Sequence, residues 1–356
     1  MKNNKSFPSS ELLRWYEGNK RQLPWRETGN PYYIWLSEII LQQTRVEQGT
    51  PYFERFVSTF PTVEQLANAS EDEVLKLWEG LGYYSRARNL HATAKLVARG
   101  YGGEFPSTYA GLLSLKGVGP YTAAAIGSIA FDLPVAAVDG NVYRVMARFF
   151  GITDSIDETS TKKHITELAN CVLDTTQPGN HNQAVMELGA TVCTPKQPKC
   201  ESCPMNSNCV ANAQGLQAEL PVRSKKVKVR NRYFYYIVSE FDGKLPVKRR
   251  GEGDIWQGLY EFPMLETDQA LTELKLVEKA ALHSDDVIIS ISAEFKHILS
   301  HQRIYSQFIL VKHACRPSGD HLWVSLADLR NFAFPRLINR YLESSSFVFD
   351  AEVSNI

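Results

Sequence analysis

The sequence has 356 residues, enough for two domains at roughly 150 residues per domain. Hydrophobic residues make up 44% and charged residues 22%, which excludes a collagen, a coiled-coil rod and a chain that is disordered throughout. Because 39 basic residues balance 39 acidic ones, the net charge identifies no class of partner, and any binding to nucleic acid would have to depend on a local patch.

The apolar stretches and the cysteines predict a protein without a membrane partner. The N-terminal lysines are not followed by the apolar stretch of a signal peptide. The longest apolar run, residues 121–138, is interrupted by an aspartate and a proline and is too short to span a bilayer comfortably. Four of the six cysteines lie within residues 193–209, which indicates a metal site in a reducing compartment rather than disulfides. We therefore expect an intracellular, cytoplasmic monomer in which Cys171 and Cys315 are core thiols.

Residues 1–212 are predicted to be almost entirely helical. Thr62 and Ser70 each stand three residues before a glutamine or glutamate, which is the spacing of a capping box, and Asn30 precedes a proline that can begin a helix. No run of alternating apolar and polar residues in this region is long enough to indicate a sheet. The first domain is therefore predicted to be all-α.

An acidic residue, Glu38, interrupts the apolar helix predicted within residues 31–48. A carboxyl group next to Trp35 would be desolvated and its pKa would rise, and an acid that is neutral near pH 7 can donate a proton. Alternatively, Glu38 lies on a polar stripe with Gln42 and Arg45, one and two turns further along the helix. The residues alone leave both interpretations open.

Residues 112–125 predict a helix-hairpin-helix. The sequence Gly117-Val118-Gly119 provides a tight turn that requires glycine at positive φ, and Pro120 begins the next helix. Free N–H groups at the start of that helix can hold a phosphate group without regard to base sequence. A simple connection between two helices uses the same turn, so the motif is specific only in its context.

Asp139 stands directly before another predicted helix, within residues 138–150. An aspartate in this place is an ordinary N-cap residue. The same carboxylate can also take part in chemistry, and the two roles can coexist.

Four cysteines predict a metal centre, with the spacing Cys-x6-Cys-x2-Cys-x5-Cys at Cys193, Cys200, Cys203 and Cys209. Zinc sites built from four cysteines more often use two close pairs. One close pair flanked by longer arms is compatible with a 4Fe-4S cluster. The spacing favours one cluster per chain, with zinc as the alternative.

Residues 213–231 are predicted to be a basic linker. Between residues 223 and 232 there are six basic residues and no acidic one, so the segment serves either as a solvated tether or as a strap that contacts phosphate groups. From residue 232 onwards, runs rich in Tyr, Phe, Val and Ile and an Asp-Gly turn predict strands. Two short helical stretches make residues 232–356 an α+β domain.

Taken in order, these motifs resemble those of the helix-hairpin-helix DNA glycosylase superfamily, and within it the adenine DNA glycosylases of the MutY type. The resemblance covers nearly the whole chain and implies a multidomain protein, with an all-α glycosylase region that carries the cluster loop and a Nudix-like α+β domain after it. Besides the four cysteines, the matching segments are LPWR at 23–26, SEIILQQTRV at 37–46, WEGLGYYSRARNL at 78–90, LKGVGPYTA at 115–123, VDGNVYRV at 138–145 and GLYEFP at 258–263.

The resemblance implies separate roles for the two carboxyl groups. Glu38 would protonate the adenine ring, and Asp139 would stabilise the oxocarbenium-like sugar after the C–N bond breaks, as in glycoside hydrolysis. Tyr121 and Asn141 would flank the reacting sugar. Arg26 and Gln183 would line the pocket around the extruded base.

Tyr121 also separates two subfamilies. The related endonuclease III enzymes carry a lysine at this place, whose amine forms a Schiff base and cleaves the DNA strand. A tyrosine cannot do this, and Lys116 lies on the far side of the glycine turn. We therefore expect no appreciable lyase activity.

The resemblance further implies which residues contact DNA. Gln43 and Tyr83 would fill the gap that the extruded base leaves, and Thr44 and Leu81 would lie near the opposite strand. The turn at residues 117–119 would hold the phosphate backbone. As ordinary features, Tyr83 would belong to a packed aromatic surface and Gln43 to an exposed helix position.

The Nudix-like domain lacks the G-x5-E-x7-R-E-x2-E-E box, so it is expected to bind rather than to hydrolyse a nucleotide with magnesium. In the family a Phe-Ser-His loop reads 8-oxoguanine opposite the target adenine. Here the loop is Leu299-Ser300-His301, in which Ser300 and His301 keep their polar groups while leucine cannot stack as phenylalanine does.

The expected function is a monofunctional adenine DNA glycosylase. It would extrude adenine that is mispaired with 8-oxoguanine or guanine in double-stranded DNA, and hydrolyse the N-glycosidic bond in base-excision repair. One alternative is an endonuclease III-like glycosylase and lyase for oxidised pyrimidines, against which Tyr121 argues. The other is a non-catalytic protein that binds DNA damage, against which the presence of both Glu38 and Asp139 argues.

Overall fold

The computed structural model describes residues 7–224, 229–279, 286–313 and 319–344. The chain divides into two compact units, of which the first comprises Met1–Ala69 and Asn89–Lys225, and the second comprises Ser70–Arg88 and Lys226–Ile356. Residues 70–88, which the sequence assigns to the helical region, therefore group with the C-terminal residues.

Helices form the chain before its first strand, as the fold class predicts. They are α1 (Ser9–Asn19), α2 (Pro31–Leu41), α3 (Val46–Thr59), α4 (Val63–Asn68), α5 (Glu71–Leu77), α6 (Ser85–Gly100), α7 (Tyr109–Leu113), α8 (Pro120–Phe131), α9 (Gly140–Phe150), α10 (Thr159–Val172), α11 (Pro178–Thr191) and α12 (Val210–Gln214). Single turns of 3-10 helix lie at Pro24–Arg26, Cys200–Ser202 and Asn206–Asn208.

Local signals set the ends of these helices. The side chains of Asn30 and Thr62 accept hydrogen bonds from the first turns of α2 and α4, and Ser70 forms a reciprocal capping box with Glu73 at the start of α5. Gly151, with φ of 70°, ends α9 in the left-handed conformation that glycine adopts without strain. Each polar cap contributes about 1 kcal/mol to stability.

A hydrophobic core holds α1, α9, α10 and α11 of the first unit together. Its buried side chains include Leu12, Tyr16, Val145, Phe149, Ile165, Ala184 and Leu188. Because one face of α9 is packed in this core, the direction of its N-terminus and of the preceding Asp139 is fixed.

Strands dominate the second unit, as predicted for an α+β domain. They are β1 (Arg230–Glu240), β2 (Lys244–Arg249), β3 (Tyr260–Glu261), β4 (Met264–Thr267), β5 (Val287–Ile291), β6 (Phe295–Ile298), β7 (Gln302–Lys312) and β8 (Leu322–Ser325), together with helices α13 (Glu273–Lys279) and α14 (Arg336–Leu342). One sheet has the order β4-β1-β7-β5, with β6 also paired to β7, and the other has the order β3-β2-β8. Strands β1 and β7 are parallel, and every other pair is antiparallel among the described residues.

The large sheet is buried on both faces. On one face, Tyr235 and Ile309 pack with Leu276 of α13. On the other, the ring of Phe308 stacks on Tyr341 of α14 with centroids 3.8 Å apart. The alternation of side chains along β1 and β7 supplies both cores.

Much of the segment predicted as a linker is ordered. Leu220 is buried and its carbonyl oxygen accepts a hydrogen bond from Arg148, while the carbonyl oxygen of Val222 accepts one from the Ile156 N–H. Strand β1 begins at Arg230. Residues 225–228, which hold half of the predicted basic run, lie outside the described residues.

Two other expectations concern exposure. Cys171 is exposed rather than in the core, because α10 buries the stripe formed by Thr161, Ile165 and Ala169 and Cys171 falls outside it. Cys315 lies outside the described residues.

No helix in the described ranges has the length and apolar character that a bilayer span requires.

Candidate active site

The first unit contains a cavity of about 410 Å³ between α2, α8, α9 and α11. Six residues that the sequence singles out line it together: Arg26, Glu38, Tyr121, Asp139, Asn141 and Gln183. Thr44 lines it as well, at the edge where α2 has ended. The volume is in the range of a site for a small organic group.

Glu38 projects from the middle of α2 into this cavity and is half-buried. Burial raises the pKa of its carboxyl group to about 7, and the charge of Asp139 adds to this rise. A hydrogen bond with Tyr121 and the charge of Arg26 oppose the rise. The polar-stripe interpretation does not describe this environment, since Glu38 faces a cavity. A carboxyl group with this pKa is about half protonated at neutral pH.

Asp139 is both an N-cap residue and part of the cavity wall. Its Oδ1 accepts hydrogen bonds from the N–H groups of Asn141 at 2.9 Å and Val142 at 2.8 Å, and its Oδ2 accepts one from Asn141 Nδ2 at 2.7 Å. Burial raises the pKa of Asp139, while these hydrogen bonds and the charge of Arg144 oppose the rise. The donors act on the ionised form, so they favour a carboxylate here.

Sequence reasoning missed Glu187, which lies on α11 one turn after Gln183. Its carboxylate is buried and accepts hydrogen bonds from Arg21 Nε at 2.7 Å and from Arg26 Nη2 at 2.7 Å. Burial alone would raise the pKa of Glu187, but the two guanidinium groups lower it. The signal was available, because Glu187 interrupts an apolar helix just as Glu38 does.

Tyr121 stands at the N-terminus of α8, opposite Glu38. Its hydroxyl lies within hydrogen-bonding reach of Glu38 and 3.4 Å from Met186 Sδ. Among the described residues that line the cavity there is no lysine.

The four cysteines line a second cavity of the first unit. In the described residues, no three His, Cys, Asp or Glu side chains are arranged to hold a single metal ion. The four cysteines thus share one cavity. Burial and the neighbouring thiols raise the pKa of Cys203 to about 11, and a bound cation would reverse this effect.

Hydrogen bonds lead from Asp139 to the cysteine loop along α9. Asn141 Oδ1 accepts from Arg144 Nη2 at 2.8 Å, and Arg144 Nε donates to the Cys193 carbonyl oxygen at 2.7 Å. One turn further, Arg148 Nη1 lies 3.4 Å from Cys193 Sγ and donates to the carbonyl oxygen of Thr194 at 2.8 Å.

The turn at residues 117–119 has the conformation that the sequence predicts. Gly117 has φ of 80°, and a Cβ atom there would lie 2.8 Å from the Cβ of Asn89. The N–H of Val118 donates to the carbonyl oxygen of Leu115 and its side chain is buried, whereas the N–H groups of Gly117 and Gly119 have no hydrogen-bond partner among the described residues. Two free donors thus stand beside the start of α8.

Gln43 and Tyr83 are exposed on strained turns in separate units. Gln43 has φ of 55° and Tyr83 has φ of 49°, and 47% of the Tyr83 surface is exposed. Both conformations are uncommon for residues other than glycine.

The contact of Leu81 with DNA stays a prediction, and its side chain is buried in this structure. Leu81 is only 5% exposed. Gly80 and Gly82 on either side have φ of 92° and 78°, and these left-handed residues turn Leu81 into the core while Tyr83 points outwards.

In the second unit, Ser300 and His301 form the exposed turn between β6 and β7. Ser300 Oγ lies 3.3 Å from His301 Nδ1. Together with Leu299, they line a cavity of about 180 Å³ whose other walls include Tyr83 and Trp256. The exposed tyrosine and the predicted lesion-reading loop therefore share one cavity.

Both regions of the chain resemble known protein families. Residues 36–171 match the family described as HhH-GPD superfamily base excision DNA repair protein, and residues 234–344 match the NUDIX domain family. The adenine DNA glycosylase of Buchnera aphidicola subsp. Acyrthosiphon pisum is 30% identical over 339 residues, which cover 94% of this chain and 97% of that protein. The adenine DNA glycosylase of Homo sapiens is 44% identical over 218 residues, which cover 59% of this chain and 40% of that protein.

Two solved structures resemble the helical region. A thermostable thymine-DNA glycosylase superposes with a TM-score of 0.53 at 30% identity, and covers 58% of this chain and 95% of its own. An endonuclease III in a non-covalent DNA complex has a TM-score of 0.51 at 21% identity and covers 59% of this chain and 95% of its own. The second likeness concerns the fold alone.

Proposed function

The chain belongs to the adenine DNA glycosylase family, a group of base-excision repair hydrolases that cleave an N-glycosidic bond, and from this membership we propose its substrate and the roles of its residues. The substrate is double-stranded DNA in which adenine is mispaired with 8-oxoguanine or guanine. The enzyme acts as a monomer, extrudes the adenine from the duplex and hydrolyses the bond to its sugar without cutting the strand.

Glu38 is the general acid. Adenine leaves poorly as an anion, so a proton must reach its ring as the C–N bond breaks. A carboxyl group with a pKa of about 7 keeps a proton in a large fraction of molecules at neutral pH. The electron pair of the C–N bond goes to adenine, and water then supplies a hydroxyl group to C1′ and returns a proton to a carboxylate.

Asp139 stabilises the positive charge that develops on the sugar. Its two oxygens are already oriented by three hydrogen bonds, so little reorganisation is needed when the charge appears. Asn141 fixes Oδ2, and Tyr121 holds Glu38 and borders the sugar. Two carboxyl groups with opposite protonation states repeat the arrangement of glycoside hydrolases.

Arg26, Gln183 and the additional Glu187 form the pocket for the extruded base. Glu187 accepts four hydrogen bonds, three from Arg21 and one from Arg26, which use all of its lone pairs, so it orients Arg26 at the pocket rather than contacting the base. Gln183 offers both a donor and an acceptor, which suits an adenine edge.

The cavity walls support hydrolysis without strand cleavage. Schiff-base chemistry needs an uncharged amine at C1′, and the described residues that line the cavity include no lysine. This observation argues against the endonuclease III-like alternative.

The DNA is held at two kinds of contact. The free N–H groups of Gly117 and Gly119 bind a backbone phosphate. Gln43 and Tyr83 are wedge residues, and Thr44 lies near the opposite strand. Ser300 accepts a hydrogen bond from the N7–H that distinguishes 8-oxoguanine from guanine, and His301 orients Ser300.

Cys193, Cys200, Cys203 and Cys209 would hold one 4Fe-4S cluster. Their thiols line one cavity, and one close pair flanked by longer arms is compatible with a cluster. These four thiolates would bind the cluster, and the bound cluster would link the two ends of the 193–209 loop. Arg148 then stands beside the ligand Cys193 and compensates part of its negative charge.

The observation that carries the proposal is the pair of carboxyl groups, Glu38 and Asp139, facing one cavity. We expect purified enzyme to nick a duplex with adenine opposite 8-oxoguanine only after hot alkali, which cleaves abasic sites. Glu38→Gln keeps the shape of the side chain without its acidity, and should lower single-turnover excision by at least about 100-fold. Glu64→Gln, on the exposed side of α4, is the matched control.

Equal activity of wild type and Glu38→Gln would remove Glu38 from its role. Nicks that appear without alkali, or efficient trapping of a covalent adduct by borohydride, would instead favour a lyase.

A further inference from the structure

Residues 70–88 carry the exposed Tyr83, and the structure groups them with the C-terminal unit although they lie far from it in the sequence. They comprise α5, the wedge turn (residues 80–84) and the first residues of α6. Several contacts inside this unit set the position of the wedge turn.

Glu79 makes the densest set of these contacts. Its Oε1 accepts hydrogen bonds from the N–H of Phe334 at 2.8 Å and from Asn339 Nδ2 at 2.9 Å. Its Oε2 lies 2.6 Å from Lys76 Nζ, which also donates to the carbonyl oxygen of Phe332 at 3.0 Å. One carboxylate immediately before the wedge turn thus joins it to the segment that leads into α14.

Two arginines support the same attachment at the two ends of the segment. Arg249 of β2 forms ion pairs with Glu71 at 2.8 Å and Asp72 at 3.2 Å. Arg88 donates to the carbonyl oxygen of Gln257 at 2.6 Å and to its Oε1 at 3.2 Å. The Glu79 side chain is only 17% exposed, against 44% for Arg249, so its hydrogen bonds are less weakened by water.

The wedge turn is also stiff within itself. Trp78 Nε1 donates to the carbonyl oxygen of Gly82 at 3.0 Å, and Arg86 Nη2 donates to the same oxygen at 3.1 Å. The guanidinium group of Arg86 lies over the rings of Trp78 and Tyr83. A stiff turn transmits the position of residue 79 to Tyr83, whereas a loose one would not.

We propose that Glu79 is a positioning residue that fixes the wedge turn to the α14 end of the C-terminal unit. Tyr83 and the loop at residues 299–301 then keep a fixed relative position when they contact the mispair. The inference rests on the proposed function, because it assumes that Tyr83 enters the duplex and that Ser300 reads the opposite base. The shared cavity of Tyr83, Trp256 and Ser300 is the surface that this attachment preserves.

The test is a double-mutant cycle of Glu79→Ala and Tyr83→Ala, measured by single-turnover excision from duplex with adenine opposite 8-oxoguanine. Glu79→Ala should lower the rate about tenfold, the effect of losing charged hydrogen bonds. In the Tyr83→Ala background the same change should lower it by less than about twofold, because the group that Glu79 positions is gone. On adenine opposite an abasic site, which is already unpaired, Glu79→Ala should stay within about twofold of wild type.

Matched variants separate positioning from loss of folding. Glu79→Gln retains Oε1 as an acceptor and should recover most of the rate. Glu343→Ala breaks a surface ion pair of the same unit, with Arg336 at 2.6 Å, and should leave both rates unchanged. If Glu79→Ala does not fold, Asn339→Ala removes one of the same hydrogen bonds and should show the same substrate dependence with a smaller loss, about threefold.

Two results would overturn the inference alone, provided the wild-type enzyme excises adenine. The first is an excision rate of Glu79→Ala that falls by the same factor on both substrates, or on neither. The second is a double mutant in which the rate losses of the two single mutants multiply. Wild-type enzyme that excises no adenine would overturn the proposed function and this inference with it.

Discussion

The pH dependence of excision follows from the environment of Glu38. The proton donor must be protonated to act, and burial raises its pKa to about 7. A group with this pKa is about 90% protonated at pH 6 and about 10% protonated at pH 8. The single-turnover rate should therefore fall about tenfold as the pH rises from 6 to 8, provided Asp139 stays ionised throughout.

The neighbours of Glu38 supply a second test with a defined sign. Tyr121 lowers the pKa of Glu38 through its hydrogen bond. Tyr121→Phe removes that hydrogen bond, so the midpoint of the pH profile should move upwards even though the rate itself falls.

The assay is excision from adenine opposite 8-oxoguanine with enzyme in excess and DNA saturated at every pH. Binding measured in parallel on an uncleavable duplex excludes an effect of pH on affinity. A rate that stays constant or rises between pH 6 and 8 would refute the reasoning, because it would mean that loss of the Glu38 proton does not slow the reaction.

Three further predictions concern stability and the cysteine loop. The pKa of Glu38 is higher in the folded than in the unfolded chain, so the wild type loses stability as the pH rises through about 7. In urea unfolding, the free energy of unfolding of Glu38→Gln should therefore rise by about 1–3 kcal/mol relative to wild type between pH 4.5 and pH 8. A difference between the two proteins that does not change with pH would contradict this. Leu81→Ala should lower the free energy of unfolding by about 2–4 kcal/mol and have little direct effect on DNA affinity. Weaker DNA binding at unchanged stability would instead indicate that Leu81 contacts DNA. Arg148→Ala should lose iron to a chelator faster than the control Arg99→Ala, which changes an exposed arginine, when the loss is measured by visible absorbance. Equal rates of iron loss would show that the contact of Arg148 with Cys193 does not help to retain the iron.

Local signals in the sequence account for the helices and for much of the active site. The N-caps at Asn30, Thr62 and Ser70 each depend on residues within one turn, so they can be recognised without the fold. Glu38 stands out because an acid in an apolar helix needs an explanation. Glu187 meets the same criterion and could have been found by it.

The features that the sequence does not predict depend on distant contacts or on backbone conformation. Glu79 is bonded to Phe334, which is 255 residues away, and no local pattern indicates that pairing. Leu81 lies between two glycines whose positive φ angles decide which neighbouring side chain is buried. The order within residues 213–224 arises in the same way, since Arg148 and Ile156 are its partners.

The most direct test of the central claim is the protonation state of Glu38 itself. Carbon-13 NMR of glutamate-labelled enzyme, compared with Glu38→Gln to assign the signal, follows this carboxyl carbon through a pH titration. We predict one glutamate that titrates with a midpoint near pH 7. A midpoint for Glu38 near that of an ordinary exposed glutamate, at about 4.3, would contradict the account, because the proposed acid would then carry no proton when adenine arrives.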